Sequence, residues 1–359
     1  MTQVTADNPL GILAIDHLEF TCDNLNSPTQ EIFYKMGLGK TFIHEESISE
    51  LYSEGQVRFL LTANNDPNSH SRKYFKKHGE GVSKISFLVE SAERAVWEAH
   101  KRGAKVIQNL KEEKTEQGIF KAGTIQGFGD LQNEFVERPA EYFRPQFTMI
   151  KTDPKKRPLK QRVARIDHLT NNVPKEELRK WVKFYTNIFG MKVTRYFDIK
   201  GAKTGLESEV VQLANGQIII PINGPSDNSG KSQIQEFLDL HKGPGVQHIA
   251  LTTANILDTV DDLRERGMNF LKIPKTYYQD IPSRNLPIKE KIEDLERLQL
   301  LVDGDENGYL LQNFSDTYVG PLFFEFIERH NHNGFGEGNF KALFEAIERD
   351  QIERGYLKV

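Results

Sequence analysis

The stretch Gly245-Val-Gln-His248-Ile-Ala-Leu-Thr-Thr253 is a glycine-led apolar run of strand character that passes into a helix through Leu257, Val260 and Leu263 and stops at Gly267. The first half of the chain repeats this plan. Gly81-Val-Ser-Lys84-Ile-Ser-Phe-Leu-Val89 precedes a helix over Ala92–His100 and stops at Gly103, so the glycine-to-glycine distance is 22 residues in both halves. Ile15-Asp-His17-Leu18 likewise echoes Ile166-Asp-His168-Leu169, and each is followed by a helix closed by a glycine, Gly37 or Gly190. A period of roughly 150–165 residues means duplicated domains, because solenoid repeats run about 20–50 residues. Period-2 and period-3.6 patterns alternate in short pieces throughout. The fold class is therefore α+β, with two strand–helix–strands units in each half that can close as one curved sheet. The expected organisation is a domain over residues 1–150, a linker over 151–162 and a domain over 163–359.

At 359 residues, 38% hydrophobic and 27% charged, the chain has ordinary globular composition and the length for two sizeable cores. Cys22 is the only cysteine, which excludes an intramolecular disulfide and a thiolate metal cluster and suits a reducing compartment. A net charge of −4 argues against a nucleic-acid scaffold. The six basic residues and two prolines between Lys151 and Arg162 read as a solvated linker. No basic segment followed by an apolar run opens the sequence, and no stretch approaches the ~18 apolar residues of a membrane span. A cytoplasmic protein without nucleic-acid or membrane partners is expected.

Pro321-Leu-Phe-Phe-Glu325-Phe-Ile-Glu328-Arg-His330 sets one carboxylate, Glu325, among five aromatic and aliphatic residues. A buried carboxylate is costly unless something positive holds it, and a metal ion is the natural partner. His168 and His248 each sit in an apolar, strand-like run. A lone histidine in such a strand is usually a satisfied core residue, so spacing alone leaves both readings open. Two imidazoles and one carboxylate with positions to spare make the facial triad of non-haem Fe(II) oxygenases. Strand alternation sets Glu325 and Glu328 on opposite faces, so Glu328 should point away from a metal. Where the second half has His248 the first has Lys84, whose ammonium ligates no metal while protonated. The first half is expected to be metal-free and structural.

Four segments occur in family order: Lys231-Ser-Gln233-Ile-Gln235, Gly243-Pro-Gly-Val-Gln247-His248-Ile-Ala-Leu251, Tyr309-Leu-Leu-Gln312 and Gly334-Phe335-Gly-Glu-Gly-Asn339-Phe340. Together they resemble the 4-hydroxyphenylpyruvate dioxygenase family. The duplication in turn resembles the paired βαβββ modules of the vicinal oxygen chelate, or glyoxalase-like, superfamily, which form open barrels around a metal. The resemblance implies Fe(II) on His168, His248 and Glu325 in the second domain. It also implies conversion of 4-hydroxyphenylpyruvate and O2 to homogentisate and CO2, a step of tyrosine catabolism. The keto acid would take two of the three remaining iron positions and O2 the third, with no separate 2-oxoglutarate. Ser208, Pro221, Asn223 and Gln233 are placed on the cavity wall, and Phe335, Asn339 and Phe340 near the substrate beneath a C-terminal gating helix. Gly224 replaces the family's usual acidic residue after the asparagine, which concerns local loop shape.

Within this reading Gln233, Gln247 and Gln312 are candidates for orienting the substrate, Gln233 and Gln312 as catalytic positions. Phe314, Phe323, Phe335 and Phe340 would form a water-excluding wall. A homo-oligomer, dimer or tetramer, is implied. Two alternatives share the fold: 4-hydroxymandelate synthase, with the same iron and substrate, and a non-catalytic binding protein.

Other local signals are decoys. Asp303-Gly-Asp305-Glu-Asn307-Gly308 opens like an EF-hand loop, but Phe314 stands where the closing glutamate is required, so a tight turn is expected. His330 and His332 read as members of a solvated loop. Gly334-Phe-Gly-Glu-Gly338 lacks dinucleotide-binding spacing. Asn339 is placed to cap a last helix with an apolar stripe of Phe340, Leu343, Phe344 and Ile347.

Overall fold

The computed structural model describes residues 4–150, 162–200, 204–226 and 232–356, apart from the side chains of Phe340, Lys341, Leu343, Glu345, Asp350 and Glu353. Most of the expected linker therefore lies outside the described residues, as does the expected role of the Phe340 ring.

Strand β1 (Ile12–Thr21) leads into helix α1 (Pro28–Lys35) and a meander of β2 (Gly39–His44), β3 (Ser49–Glu54) and β4 (Val57–Thr62). After α2 (His70–His78) the unit repeats as β5 (Gly81–Val89), α3 (Ala92–Lys101), β6 (Val106–Thr115), β7 (Gly118–Gln126) and β8 (Gln132–Glu137). A two-residue strand, β9 (Thr148–Met149), pairs along β2. The second half opens with β10 (Ile166–Asn172), α4 (Leu178–Phe189), β11 (Lys192–Lys200), β12 (Gly205–Gln212) and β13 (Ile219–Pro225). Following α5 (Gln233–His241) come β14 (Gly245–Thr252), α6 (Ile256–Glu265), α7 (Lys275–Asp280), α8 (Ile292–Leu298), β15 (Leu301–Asp305), β16 (Gly308–Val319), β17 (Leu322–His330) and α9 (Phe340–Glu353).

Strand order shows that the two halves are copies. The second sheet runs β11-β12-β13-β10-β14-β17-β16-β15, and the first, read from β2, runs β2-β3-β4-β1-β5-β8-β7-β6. In each, the leading strands of the two modules pair antiparallel at the centre, β1 with β5 and β10 with β14. Each leading strand also pairs parallel with the last strand of its own module. This is a βαβββ module used four times.

The helices form because apolar residues at helical spacing must be covered. In α4, Leu178, Trp181, Val182, Tyr185, Ile188 and Phe189 are all buried, and Gly190 ends the helix in the left-handed region at φ +73°. A 3-10 turn, Lys175–Glu177, leads into it. Phe189 reaches the other half, packing on Phe87 and Phe135 with ring centroids 5.4 and 6.0 Å apart. Burial of each such ring stabilises by about 1.5–3 kcal/mol, so one continuous core joins the two sheets.

Asn215 and Gly216 turn the β12–β13 hairpin, with Gly216 at φ +70° and Leu213 N–H donating to Ile218 O at 2.9 Å. At the EF-hand-like stretch, Asp305 Oδ1 accepts from Asn307 N and Gly308 N at 2.7 and 3.2 Å, an ordinary tight turn. One expectation is corrected. His330 is not in a solvated loop; it is the last residue of β17, stacked on Tyr309 at 4.4 Å.

Candidate metal centre

Three adjacent strands bring three side chains to one point. His168 on β10 lies opposite Ala250 on β14, and Ala250 lies beside Glu325 on β17. His248 is two residues before Ala250, so alternation turns it to the same face. His168 Nε2 stands 3.2 Å and His248 Nε2 3.5 Å from the same oxygen, Glu325 Oε2. Ligand atoms of all three residues lie within 4.8 Å of one another. Glu325 is only 1% exposed. A buried donor set of two ring nitrogens and one carboxylate oxygen fits a divalent transition-metal ion that keeps open positions.

Surrounding groups fix each of the three side chains. Asp167 Oδ2 lies 2.9 Å from His168 Nδ1, while Arg329 grips Asp167 with Nε and Nη2 at 3.1 and 2.8 Å. Arg329 also donates to the carbonyls of His332 and Gly334, tying the same guanidinium to the loop that carries Phe335. An outer carboxylate of this kind sets the ring's tautomer and its aim, so Nε2 is the atom presented inward. Gln247 Oε1 lies 3.2 Å from His248 Nδ1, and the His248 ring stacks on Phe323 at 4.8 Å. Gln312 Nε2 donates to Glu325 Oε1 at 2.9 Å and to Phe335 O at 3.1 Å, which leaves Glu325 Oε2 facing the imidazoles.

Charge is shared unequally before any metal arrives. Burial opposes the His168 imidazolium, but the Glu325 and Asp167 carboxylates outweigh it and lift its pKa to about 9. Burial, and then the neighbouring His168 charge, push His248 well below the usual imidazole range. Burial of Asp167 is likewise outweighed by His168 and Arg329, which hold its carboxyl below the usual range.

A cavity opens from the triad. Its wall includes Ser208, Pro221, Asn223, Gln233, Gln247, Gln312, Phe314, Phe323 and Phe335. Among the described residues Thr170, Phe197, Ile199, Leu206, Val210 and Phe344 also line it and were missed from sequence. Period-2 reading could have found several: Leu206 and Val210 flank Ser208 on one face of β12, and Thr170 shares its face of β10 with His168. Thr170 Oγ1 is buried there with no hydrogen-bond partner among the described residues.

Asn339 is a correction on two counts. It is not on the cavity wall. Nor is its side chain spent on capping α9: Tyr277 Oη donates to its Oδ1 at 2.7 Å, and its Nδ2 donates to Gln312 Oε1 at 3.0 Å. Gln312 is thus held on both ends of its amide by Glu325, Phe335 O and Asn339.

A second group, Asp303, His332 and Glu337, also has ligand atoms within 4.8 Å. Its oxygens are already engaged. Asp303 accepts from Gly338 N at 3.0 Å and Arg284 Nη2 at 3.2 Å, and Glu337 Oε2 accepts from Phe335 N at 2.9 Å. This cluster shapes the 333–339 loop. Glu328 points elsewhere: its Oε2 accepts from Ile256 N at the head of α6 at 2.7 Å.

Residues 165–280 match the family model of the glyoxalase/bleomycin resistance protein/dioxygenase superfamily. The fold and the donor set define the same class, a two-domain α+β vicinal oxygen chelate protein. Residues 6–145 match the model described as hydroxyphenylpyruvate dioxygenase, HPPD, N-terminal. The chain is 36% identical to 4-hydroxyphenylpyruvate dioxygenase of Pseudomonas aeruginosa, over 99% of each chain. It is 40% identical to hemolysin VllY of Vibrio vulnificus, again over 99% of each. Among solved structures, a triple mutant of 4-hydroxymandelate synthase from Streptomyces coelicolor superposes with a TM-score of 0.84 at 27% identity, covering 95% of this chain and 99% of that one. The chain belongs to the 4-hydroxyphenylpyruvate dioxygenase family. Among the described residues no helix is long and apolar enough to cross a membrane.

Proposed function

We infer that this chain converts 4-hydroxyphenylpyruvate and O2 to homogentisate and CO2, with Fe(II) held by His168, His248 and Glu325. The observation that carries the reading is the convergence of two Nε2 atoms on Glu325 Oε2 at 3.2 and 3.5 Å inside a mostly apolar cavity. Bound Fe(II) would supply Lewis-acid anchoring of the keto acid and the electrons that activate O2. The protein's share is positioning. Asp167 and Arg329 aim His168, and Gln312 aims Glu325. Phe314, Phe323, Phe335 and Phe344 keep water from the reacting atoms. Ser208, Asn223, Gln233 and Gln247 supply the polar groups on the wall that would orient the substrate, with the unpartnered Thr170 hydroxyl beside them.

A cytoplasmic location and a homo-oligomeric state, dimer or tetramer, belong to this reading; light scattering on the purified chain measures the second. A second reading, hydroxylation of the benzylic carbon, is favoured by the hydroxymandelate synthase neighbour. Chromatography of the product from purified, Fe(II)-reconstituted protein separates the two. Homogentisate is expected; hydroxymandelate would overturn the reaction while leaving the site intact.

A further inference from the structure

The first half keeps the framework of the metal centre almost entirely. His17 lies opposite Ser86, and Ser86 beside Glu134, as His168 lies opposite Ala250 and Ala250 beside Glu325. By the same register Lys84 takes the place of His248, and Glu19 that of Thr170. The outer groups are repeated as well. Asp16 Oδ2 lies 2.7 Å from His17 Nδ1, and Arg138 Nε donates to Asp16 Oδ1 at 2.8 Å, matching Asp167, His168 and Arg329. Phe143 meets the edge of His17 at 5.1 Å, as Phe335 meets His168 at 5.8 Å. A ring aimed by an aspartate and an arginine is an arrangement that orients a ligand, yet among the described residues no second imidazole joins His17 and Glu134 to complete a triad.

One residue fills the place of an ion and another supplies positive charge beside it. The Ser86 hydroxyl lies between the ring and the acid, 3.1 Å from His17 Nε2 and 2.8 Å from Glu134 Oε2. The Lys84 ammonium stands 3.0 Å from Glu19 Oε2 and 3.9 Å from Glu134 Oε1. Arg144 donates to Glu134 Oε1 at 2.7 Å, so Oε1 is held from outside and Oε2 faces inward, just as Gln312 holds Glu325. Glu19 is 7% and Glu134 2% exposed. Two buried carboxylates need positive charge, and Lys84 with Arg144 provides two units. Burial works against the Lys84 ammonium, but Glu19 and Glu134 outweigh it and keep it charged.

We propose that the first half carries a dormant site for a divalent transition-metal ion, in which the Ser86 hydroxyl fills the ion's space and the Lys84 ammonium supplies its positive charge. Lys84→His together with Ser86→Ala restores the donor set of the second half: two imidazoles and Glu134 Oε2, with Glu19 as a further carboxylate. A dication in place of the Lys84 ammonium raises the local charge by one unit, and Glu19 and Glu134 stay compensated. The comparison with the second half rests on the reading of His168, His248 and Glu325 as ligands.

The test uses full-length chain stripped with chelator, loaded with Co(II), desalted and counted for metal, with the visible ligand-field absorption recorded. About one Co(II) per chain is expected for the parent and about two for Lys84→His/Ser86→Ala; in a His248→Ala background the count goes from near zero to about one. An unchanged count on adding the two substitutions overturns the proposal. A parent that binds none would instead overturn the second-half reading, and the increment still decides this one. Should circular dichroism show the double variant unfolded, Lys84→Met is compared with Lys84→Met/Glu19→Gln. Loss of Tm in the first and recovery of more than half of it in the second is expected, and no loss or no recovery overturns the proposal.

Discussion

Glu325 Oε2 lies 3.2 Å from His168 Nε2 although the two residues are 157 positions apart in sequence. Parallel pairing of β14 with β17 and antiparallel pairing of β10 with β14 make them near neighbours. The outer groups are as important to function as the contact itself. Without Asp167 and Gln312 the ring and the carboxylate could each rotate away from a common ion.

Asp167→Asn tests the outer group on His168. The amide keeps the volume but loses the charge that both His168 and Arg329 use. Metal affinity is expected to fall about 10–100-fold with a native circular dichroism spectrum. Competition with a chromophoric chelator measures it.

Metal uptake should release protons. In the metal-free protein His168, lifted to about 9, carries a proton at pH 7, and a ligating imidazole must be neutral. About one proton per chain is expected to leave on metal binding at pH 7, measured by calorimetry in two buffers of different ionisation enthalpy. The same shift has a sign for stability. Its contribution to the metal-free protein is full below the unfolded value of 6.5 and is lost as pH rises through about 9.

Gly190→Ala tests how the halves are joined. Gly190 sits at φ +73°, and a Cβ there would come within 2.4 Å of Pro9 Cδ. Left-handed strain and the clash together should cost about 1–3 kcal/mol, read as a lowered Tm. Iron-dependent turnover at 25 °C should change little.

The duplication was legible because glycines stop equivalent helices at equal spacing; the polar residues His168, His248 and Glu325 stood out in apolar strands, and the structure brings them together. Asp167 was within reach too, as the residue preceding His168. Arg329 was not: its role depends on β17 lying near β10, which no local pattern states. Asn339 was misread because a local capping rule competed with a tertiary partner, Tyr277, 62 residues away. The helix α2 went unseen because His70-Ser-Arg-Lys-Tyr-Phe-Lys-Lys-His78 offers only two apolar rings to a helical period. His330 was assigned to a loop because its stacking partner, Tyr309, lies on the neighbouring strand.

Oxygen uptake on addition of 4-hydroxyphenylpyruvate to Fe(II)-loaded protein, compared between Glu325→Gln and Glu328→Gln, tests the central claim most directly. Glu325 faces both imidazoles, whereas Glu328 caps α6 through Ile256 N on the far side of β17. Uptake by the parent should require the keto acid. Glu325→Gln should lose about 100-fold or more of it, since a ligand matters at least as much as an outer group, with a native circular dichroism spectrum. Glu328→Gln should keep most of it, with a slightly lower Tm. Equal uptake in the two variants, or loss only in Glu328→Gln, would contradict the assignment of Glu325 as the metal-binding carboxylate.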